Sequence, residues 1–442
     1  MKEATLSQIL ERREARAARQ LELISLYNAP VICFTMNIAG PVKTTPLIER
    51  AFKAGLDLLK VSIKDYKIIS QEQHFLATGC EALFSVQGNS EILKDLCVSV
   101  EESSSLGRLF DIDVISENGI KLERKTPRVC LICNKPGRIC ARGRVHSATE
   151  VFAKTEKIIS DFFLNIDSDI TSHLAVKSLI DEVYTTPKPG LVDSSNSGSH
   201  KDMDINTFIK SANVLRPYFA ECFRSGHNFK GTSPCEVFPQ LREAGIHAEK
   251  EMLCATNGVN THKGIIYSMG IICAAAGFLW CPERPFATPD EIFSVCSQIS
   301  KKAAENDFRT ISSNTAGARL YLEKGLTGIR GEAASGFPSV LNTGLPSYKT
   351  YLQRGFSPND AGVYTLLRLI SKVSDTNLYH RGGDDGVVFA KSSALRLLEN
   401  DKIPDLNEVV ALDKEFIKRN LSPGGCADLL AITYFINSLQ SY

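Results

Sequence analysis

No excess of charge of either sign runs through the 442 residues: 51 Lys and Arg stand against 50 Asp and Glu, a formal net charge of +1. A general electrostatic pull toward nucleic acid or an anionic membrane is therefore excluded, and any phosphate recognition has to be local. The first twenty residues, MKEATLSQILERREARAARQ, have no apolar h-region, so no secretory leader is expected; their Arg content superficially resembles a transit peptide, a reading that Glu11 and Glu14 weaken. Repeats and low-complexity tracts are missing as well. A disulfide framework is not expected either, because the 13 Cys are an odd number scattered along a long chain, and reduced thiols in a cytoplasm are the simpler account. From Gly264 to Cys281 (GIIYSMGIICAAAGFLWC) eighteen residues carry no charge. The length touches the threshold for a membrane span. Its glycines and alanines, and the lack of a second candidate span, predict instead a helix buried in an all-helical core, and no membrane partner.

What is present is an ordinary globular composition, 43% hydrophobic and 23% charged, on a chain long enough for two or more domains at roughly 100 to 200 residues each. In the first third, short apolar runs at Pro30–Met36, Ala82–Val86 and Leu109–Ile115 predict strands, and they mix with helical patterns at Leu6–Leu26 and from Thr45 to Ala54. An α/β or α+β domain follows. Beyond Ser147 helical patterns dominate, among them Ser172–Val183, Ile205–Phe223, Pro289–Asn306 and Asn359–Lys372. The second domain is therefore expected to be all-α, with the boundary in 163–171, where polar residues interrupt two helical patterns.

In the first domain Asp111 and Asp113 stand two apart in an apolar strand pattern, so both point to one face and can share a Mg²⁺ that neutralises a triphosphate, with Arg108 beside them for a phosphate oxygen. The alternative is two aspartates on the wet face of an edge strand. Cys130, Cys133, Cys140 and His146 follow at a spacing that fits four ligands of a structural Zn²⁺. The same run carries Arg128, Lys135, Arg138, Arg142 and Arg144, suited to phosphates or an acidic partner, and a solvated basic loop with free thiols remains the other account. His74 is a candidate base.

Phe34-Thr35-Met36-Asn37 with Gly40-Pro41 and Lys43, then GRLFDIDV at 107–114, then the Cys–Arg run closing at His146, resemble the holo-acyl carrier protein synthase of citrate lyase over about the first 165 residues. The resemblance implies a nucleotidyltransferase-like domain over 1–165 that transfers a phosphoribosyl-dephospho-CoA group from its triphosphate form to a serine of the carrier protein, the gamma subunit of citrate lyase, releasing pyrophosphate.

In the second domain Glu182 closes a helix before PKPGLVD at 187–193, and Asp193, Asn196, His200, Lys201 and Asp202 follow in a loop stiffened by Pro187 and Pro189. Asn260, His262 and Lys263 precede the apolar helix, and Gly424 and Gly425 precede a helix carrying Asp428, both ready anion sites; Asp375 and Arg381 decorate another helix end. Converging carboxylates (Glu182, Asp193, Asp202, Asp375, Asp428) need Mg²⁺ or protonation to offset one another. PKPGLVD, GSHKDMD at 198–204, NTHKG at 260–264 and LSPGGCADLLA at 421–431 together resemble the triphosphoribosyl-dephospho-CoA synthase family over 166–442, with a departure at Ser194 and Ser195, where an Arg is expected. The resemblance implies that ATP and 3'-dephospho-CoA are joined with release of adenine, the ribose 2'-hydroxyl attacking the anomeric carbon of the ATP ribose. Asp193 and Asp202 are then expected in metal or base roles and His200 as acid or phosphate contact. Lys188, Lys201 and Lys263 are expected on the triphosphate. Asn196, Asn260, His262, Arg381, Gly424, Gly425, Asp428, Arg108 and Arg142 are expected to bind substrate. A rival class is a nucleotide-binding regulatory protein without turnover, which adenine release distinguishes; the same chemistry on a related carrier protein is the other alternative.

Overall fold

The structure, a computed structural model, describes residues 3–284, 286–310, 316–399 and 403–442. It divides into two compact units, Met1–Ile166 and Asp167–Tyr442. The first is α+β. Its sheet is antiparallel throughout, in the order β2-β3-β1-β4, with β1 Val31–Met36, β2 Lys67–Leu76, β3 Gly79–Gln87 and β4 Phe110–Ile115. Both faces of the sheet are covered. Alternation along β1 sends Val31 and Cys33 to one face, where they pack with Leu83 and Ile115 against Leu23 and Ile24 of the helix Leu6–Tyr27. Phe34 points the other way, stacking on Phe52 of the helix Pro46–Ser62 at 4.8 Å and meeting Phe110 edge-on at 5.2 Å. The Leu6–Tyr27 helix starts with a Thr5–Gln8 capping box and ends at Asn28 in the left-handed region.

Three of the four strands fall where the apolar runs predict them. β2 escapes that pattern because KIISQEQHFL is an edge strand that buries no residue. The polar stretch 163–171, expected to interrupt two helices, does not: one helix runs without a break from Ala148 to Tyr184. Asp167 and Ser168 are buried inside it, Asp167 accepting from the Trp280 indole N–H at 2.7 Å and Ser168 donating to the Ala220 carbonyl. Those polar residues satisfy buried partners and do not mark a loop.

The second unit is all-helical among its described residues. At its centre lies Lys263–Phe278, the uncharged run, buried along almost its whole length. Among the described residues no helix is long and apolar enough to cross a membrane. The expected Ile205–Phe223 helix is two, Ile205–Val214 and Arg216–Asn228, because Pro217 has no N–H to continue the first. Arg216–Asn228 crosses Lys263–Phe278 in near backbone contact: a Cβ on Gly226 would lie 1.9 Å from the Ala274 carbonyl oxygen, and one on Gly277 would lie 1.9 Å from that of Phe223.

Candidate functional site

In the N-terminal unit the register sets His74, Glu81, Thr35 and Asp111 in one cross-strand row, on the face covered by Leu6–Tyr27. Glu81 is 2% exposed and receives both Arg12 and Arg16 from that helix, Arg16 at 2.9 Å. Two guanidiniums on one buried carboxylate fix the helix over the sheet and leave Arg donors at its edge. Next to this row Arg19 grips Glu72 at 2.6 Å, which holds the Glu72 carboxyl below its usual range. Sequence reasoning missed Glu81, Arg12 and Arg16; the alternation of β3 places Glu81 on the face of Leu83, which was the available signal.

Asp111 and Asp113 do share a face, and both are accessible. Each already has a cation nearby: Lys121 bonds Asp113 at 2.5 Å, and Arg128 stands 3.8 Å from Asp111. Arg108 does not point to a free phosphate position; it donates to the Cys130 carbonyl at 3.1 Å and so ties the Cys-rich loop to the end of β4. Arg142 is exposed on the short helix Gly137–Gly143. Cys130, Cys133, Cys140 and His146 are brought together, all four ligand atoms lying within 4.8 Å of one another. No other group of three or more His, Cys, Asp or Glu among the described residues is assembled in this way.

In the C-terminal unit a cavity of about 910 Å³ gathers most of the expected residues: Lys188, His200, Asp202, Asn260, His262, Lys263, Arg381, Gly424, Gly425 and Asp428 all line it. Glu182, Asp375 and Glu332 join them. Helix ends build the wall. Lys263–Phe278 begins at His262, Gly424–Ser441 begins at Pro423 with no side-chain cap, and Asp375 caps Thr376–Leu397 by accepting from the Asn377 and Leu378 N–H groups. The second Asp375 oxygen accepts from the Cys426 N–H at 2.8 Å, so one buried carboxylate locks two helix N-termini side by side.

The charges inside are unevenly satisfied. Lys188, 1% exposed, donates to the Glu182 carboxylate and at 2.6 Å to its main-chain carbonyl. Burial still pushes the Glu182 carboxyl up. Asp428 has no hydrogen-bond or ion-pair partner among the described residues. Its Oδ2 lies against Gly264, where a Cβ would come within 2.3 Å. The nearby start of a helix favours its anion. Burial outweighs that, and the Glu182 and Asp375 charges add to it, so the Asp428 carboxyl is raised well above the usual range. His262 is held neutral, its pKa brought down to about 3 by burial and then by the Lys188 charge. Thr261 donates to Ser211 Oγ and Ser211 to His262 Nδ1 at 2.6 Å, which leaves the ring proton on Nε2.

Three expected residues do not line this cavity. Asp193 is buried, and its oxygens accept the backbone N–H groups of Lys188, Ser195 and Asn196 at 2.9, 2.7 and 3.0 Å; it shapes the PKPGLVD turn and has no oxygen turned to a ligand. Asn196 bridges to Asp413, which sequence reasoning missed, and Lys201 is exposed beside the loop. His200 lines the cavity but does not fit an acid role. Arg381 donates to its Nδ1 at 3.2 Å, so Nε2–H donates to Ser422 at 2.9 Å, and burial followed by the Arg381 charge lowers its pKa. Asp202 stands exposed at the rim. No three carboxylates form a preassembled cage among the described residues. Mg²⁺ does not need one, since it binds one or two carboxylates together with substrate phosphates; Asp428 and Asp202 are oxygen donors of the right kind.

A polar cavity of nucleotide size, with helix N-termini and lysines around an unpartnered carboxylate, suits a phosphorylated substrate, and the family matches make the class a transferase. Residues 168–442 match the family of ATP:dephospho-CoA triphosphoribosyl transferases, and residues 4–162 match the apo-citrate lyase phosphoribosyl-dephospho-CoA transferases. The chain is 36% identical over 463 residues to Protein CitXG of Leuconostoc mesenteroides subsp. cremoris (98% of this chain, 97% of the relative). It is 35% identical over 457 residues to Protein CitXG of Haemophilus influenzae (99% and 96%). Its C-terminal part is 40% identical over 278 residues to a probable 2-(5''-triphosphoribosyl)-3'-dephosphocoenzyme-A synthase of Vibrio cholerae (61% of this chain, 88% of the relative). The chain belongs to these two transferase families, joined in one polypeptide that builds the citrate lyase prosthetic group.

Proposed function

We propose that the C-terminal unit joins ATP to 3'-dephospho-CoA with Asp428 as its proton-transfer group, and that the N-terminal unit passes the product to the citrate lyase acyl carrier protein. In the first reaction the ribose 2'-hydroxyl of dephospho-CoA forms a bond to the anomeric carbon of the ATP ribose while the bond to adenine breaks. Positive charge builds on the ribose ring at the transition state, and a proton must leave the hydroxyl. In its ionised form a carboxylate with raised proton affinity and no competing partner opposes that charge and can take the proton. The observation that carries the reading is Asp428: half-buried, unpartnered and facing a cavity of about 910 Å³ beside Glu182.

The retained triphosphate is assigned to the starts of Lys263–Phe278 and Gly424–Ser441, with Lys263 and Arg381 as cations. Mg²⁺, when bound, supplies charge neutralisation for the phosphates. Asp193, Asn196, His200 and Lys188 are assigned to shaping and supporting the wall. In the second reaction the carrier serine oxygen attacks the phosphorus nearest the ribose, the bond to the leaving pyrophosphate breaks and the serine proton passes to water; Asp111 and Asp113 would hold Mg²⁺ against the phosphates, and His74, three strands across the sheet from Asp111, is not assigned to this step. The test is mass spectrometry of apo carrier protein incubated with the chain, ATP, Mg²⁺ and dephospho-CoA, with adenine measured in parallel. Expected are a phosphoribosyl-dephospho-CoA adduct on the carrier and equimolar adenine. Adenine release unaffected by Asp428→Asn would overturn the assignment of Asp428.

A further inference from the structure

We infer that Cys130, Cys133, Cys140 and His146 bind a structural Zn²⁺ that holds the basic loop of the N-terminal unit in place beside β4. Four ligand atoms lie within 4.8 Å of one another, and Cys133 Sγ and Cys140 Sγ are 3.4 Å apart. That sulfur separation is far too long for a disulfide, for which about 2.05 Å is required. It is close to the edge of a tetrahedron of Zn–S bonds, about 3.8 Å for bonds of about 2.3 Å.

The backbone is already folded as such a site requires. The Ile132 N–H donates to Cys130 Sγ at 3.4 Å, and the Lys135 N–H is directed at Cys133 in the same way. Asn134 takes a left-handed φ of 57° that turns the chain after the second cysteine, and an isolated bridge between Val129 and Pro136 closes the turn. Cys140 comes from the short helix Gly137–Gly143, and Arg144 at φ 47° turns the chain back to bring in His146.

Two further observations point to a ligand. Nε2 of His146 is buried without a hydrogen-bond partner, a costly state for an imidazole nitrogen beside three thiols. The segment also has almost no apolar core of its own. From 117 to 150 the one buried residue is Cys140, while Ile132, Ile139 and Val145 are left 38%, 61% and 56% exposed. A loop with no apolar core needs a cross-link, and a bound metal supplies one at the cost of releasing thiol protons. All four tetrahedral positions are taken by protein, so the site is closed and its role is structural. Arg108 bonded to the Cys130 carbonyl, and Arg128 between Glu101 and Asp111, connect the metal loop to the proposed transfer edge.

The assignment stands on ligand geometry alone and survives if the unit proves to lack transfer activity. Elemental analysis of the full chain, purified from zinc-supplemented medium, should give about one zinc per chain. Cys133→Ser and Cys140→Ser should each reduce it to background, Cys235→Ser should not, and adenine release by the C-terminal unit should persist in all three. Cobalt added to the apo chain should give the absorption of a tetrahedral thiolate site. Should either variant fail to fold, thiol blocking of the unmodified chain still decides: zinc should pass to a chromogenic chelator in step with modification of Cys130, Cys133 and Cys140 mapped by mass spectrometry. Sub-stoichiometric metal, iron in place of zinc, or zinc retained by both serine variants would overturn the inference.

Discussion

Asp428→Asn should make the C-terminal unit more stable and nearly inactive, two changes in opposite directions that separate a working residue from a packing one. The amide keeps the volume and the contact with Gly264, so no cavity opens. What it removes is a carboxylate placed against Glu182 and Asp375 with no partner of its own. Asp428 is half-buried and faces the cavity, so the relief expected is at the low end of what an unsatisfied buried group costs, about 1 kcal/mol. The direction follows from linkage. A carboxyl whose folded pKa is raised contributes stability that is fully present below its unfolded pKa, near 3.9, and that is lost as pH rises toward the folded value. The gain from Asn should therefore be small near pH 4 and grow toward neutrality. Loss of a proton-transfer group lowers turnover by roughly 10²–10⁴. Trp280 makes the stability assay specific: it is the one tryptophan of the chain and is buried in this unit, so urea unfolding followed by its fluorescence reports on Asp167–Tyr442 alone. Adenine release gives the activity. A variant that is less stable and fully active would refute the reasoning.

Gly264→Ala should leave urea stability almost unchanged while lowering adenine release roughly 10²-fold, because its Cβ would meet Asp428 Oδ2 at 2.3 Å and displace that flexible carboxylate instead of the backbone. Gly277→Ala should do the reverse, costing about 1–3 kcal/mol in the Trp280-detected transition, since its Cβ would meet the Phe223 backbone oxygen at 1.9 Å. Asp193→Ala should destabilise the unit by at least about 1.5–3 kcal/mol through loss of three backbone N–H acceptors; an inactive variant of unchanged stability would restore Asp193 to the chemistry. His262, brought down to about 3 in the fold from an ordinary value of 6.5, contributes stability that is full above pH 6.5 and lost as pH falls toward 3. His262→Asn should flatten the acid limb of the stability profile by up to about 1.4 kcal/mol per pH unit.

Helix content and the apolar centre of the second unit were legible because periodicity and the uncharged run at 264–281 depend on burial, which sequence reports directly. The motifs around the cavity were legible for a related reason: glycine pairs and lysines ahead of helices have few structural uses. The role of each carboxylate was not. Asp193, in the most motif-like segment, is spent on its own turn, and Asp428, the one charged residue of the helix Gly424–Ser441, is the unpartnered one. Sequence spacing shows which residues are near one another along the chain, whereas a free carboxylate is defined by hydrogen bonds that long-range packing supplies or withholds. β2 was missed for the matching reason in a sheet. A strand that buries nothing leaves no alternation to read, and its position is set by pairing with β3.

The two units handle negative charge in opposite ways, and the contrast bears on how each works. In the N-terminal unit carboxylates are matched as they are placed: Glu81 by Arg12 and Arg16, Glu101 by Arg124 and Arg128, Asp113 by Lys121. On the proposed function, a metal-bound triphosphate reaching Asp111 and Asp113 would exchange partners with Lys121 and Arg128 and free both cations for phosphate oxygens. The C-terminal cavity holds Glu182, paired with Lys188, beside an unpartnered Asp428, and burial raises both carboxyls. A half-buried carboxylate with raised proton affinity and no partner is suited to taking a proton from a hydroxyl, the step proposed for the displacement of adenine. A site that pairs every carboxylate is prepared for chemistry that moves a phosphorus between oxygens. The order of the two reactions thus coincides with a change from protonation to ion pairing as the means of keeping carboxylates in place.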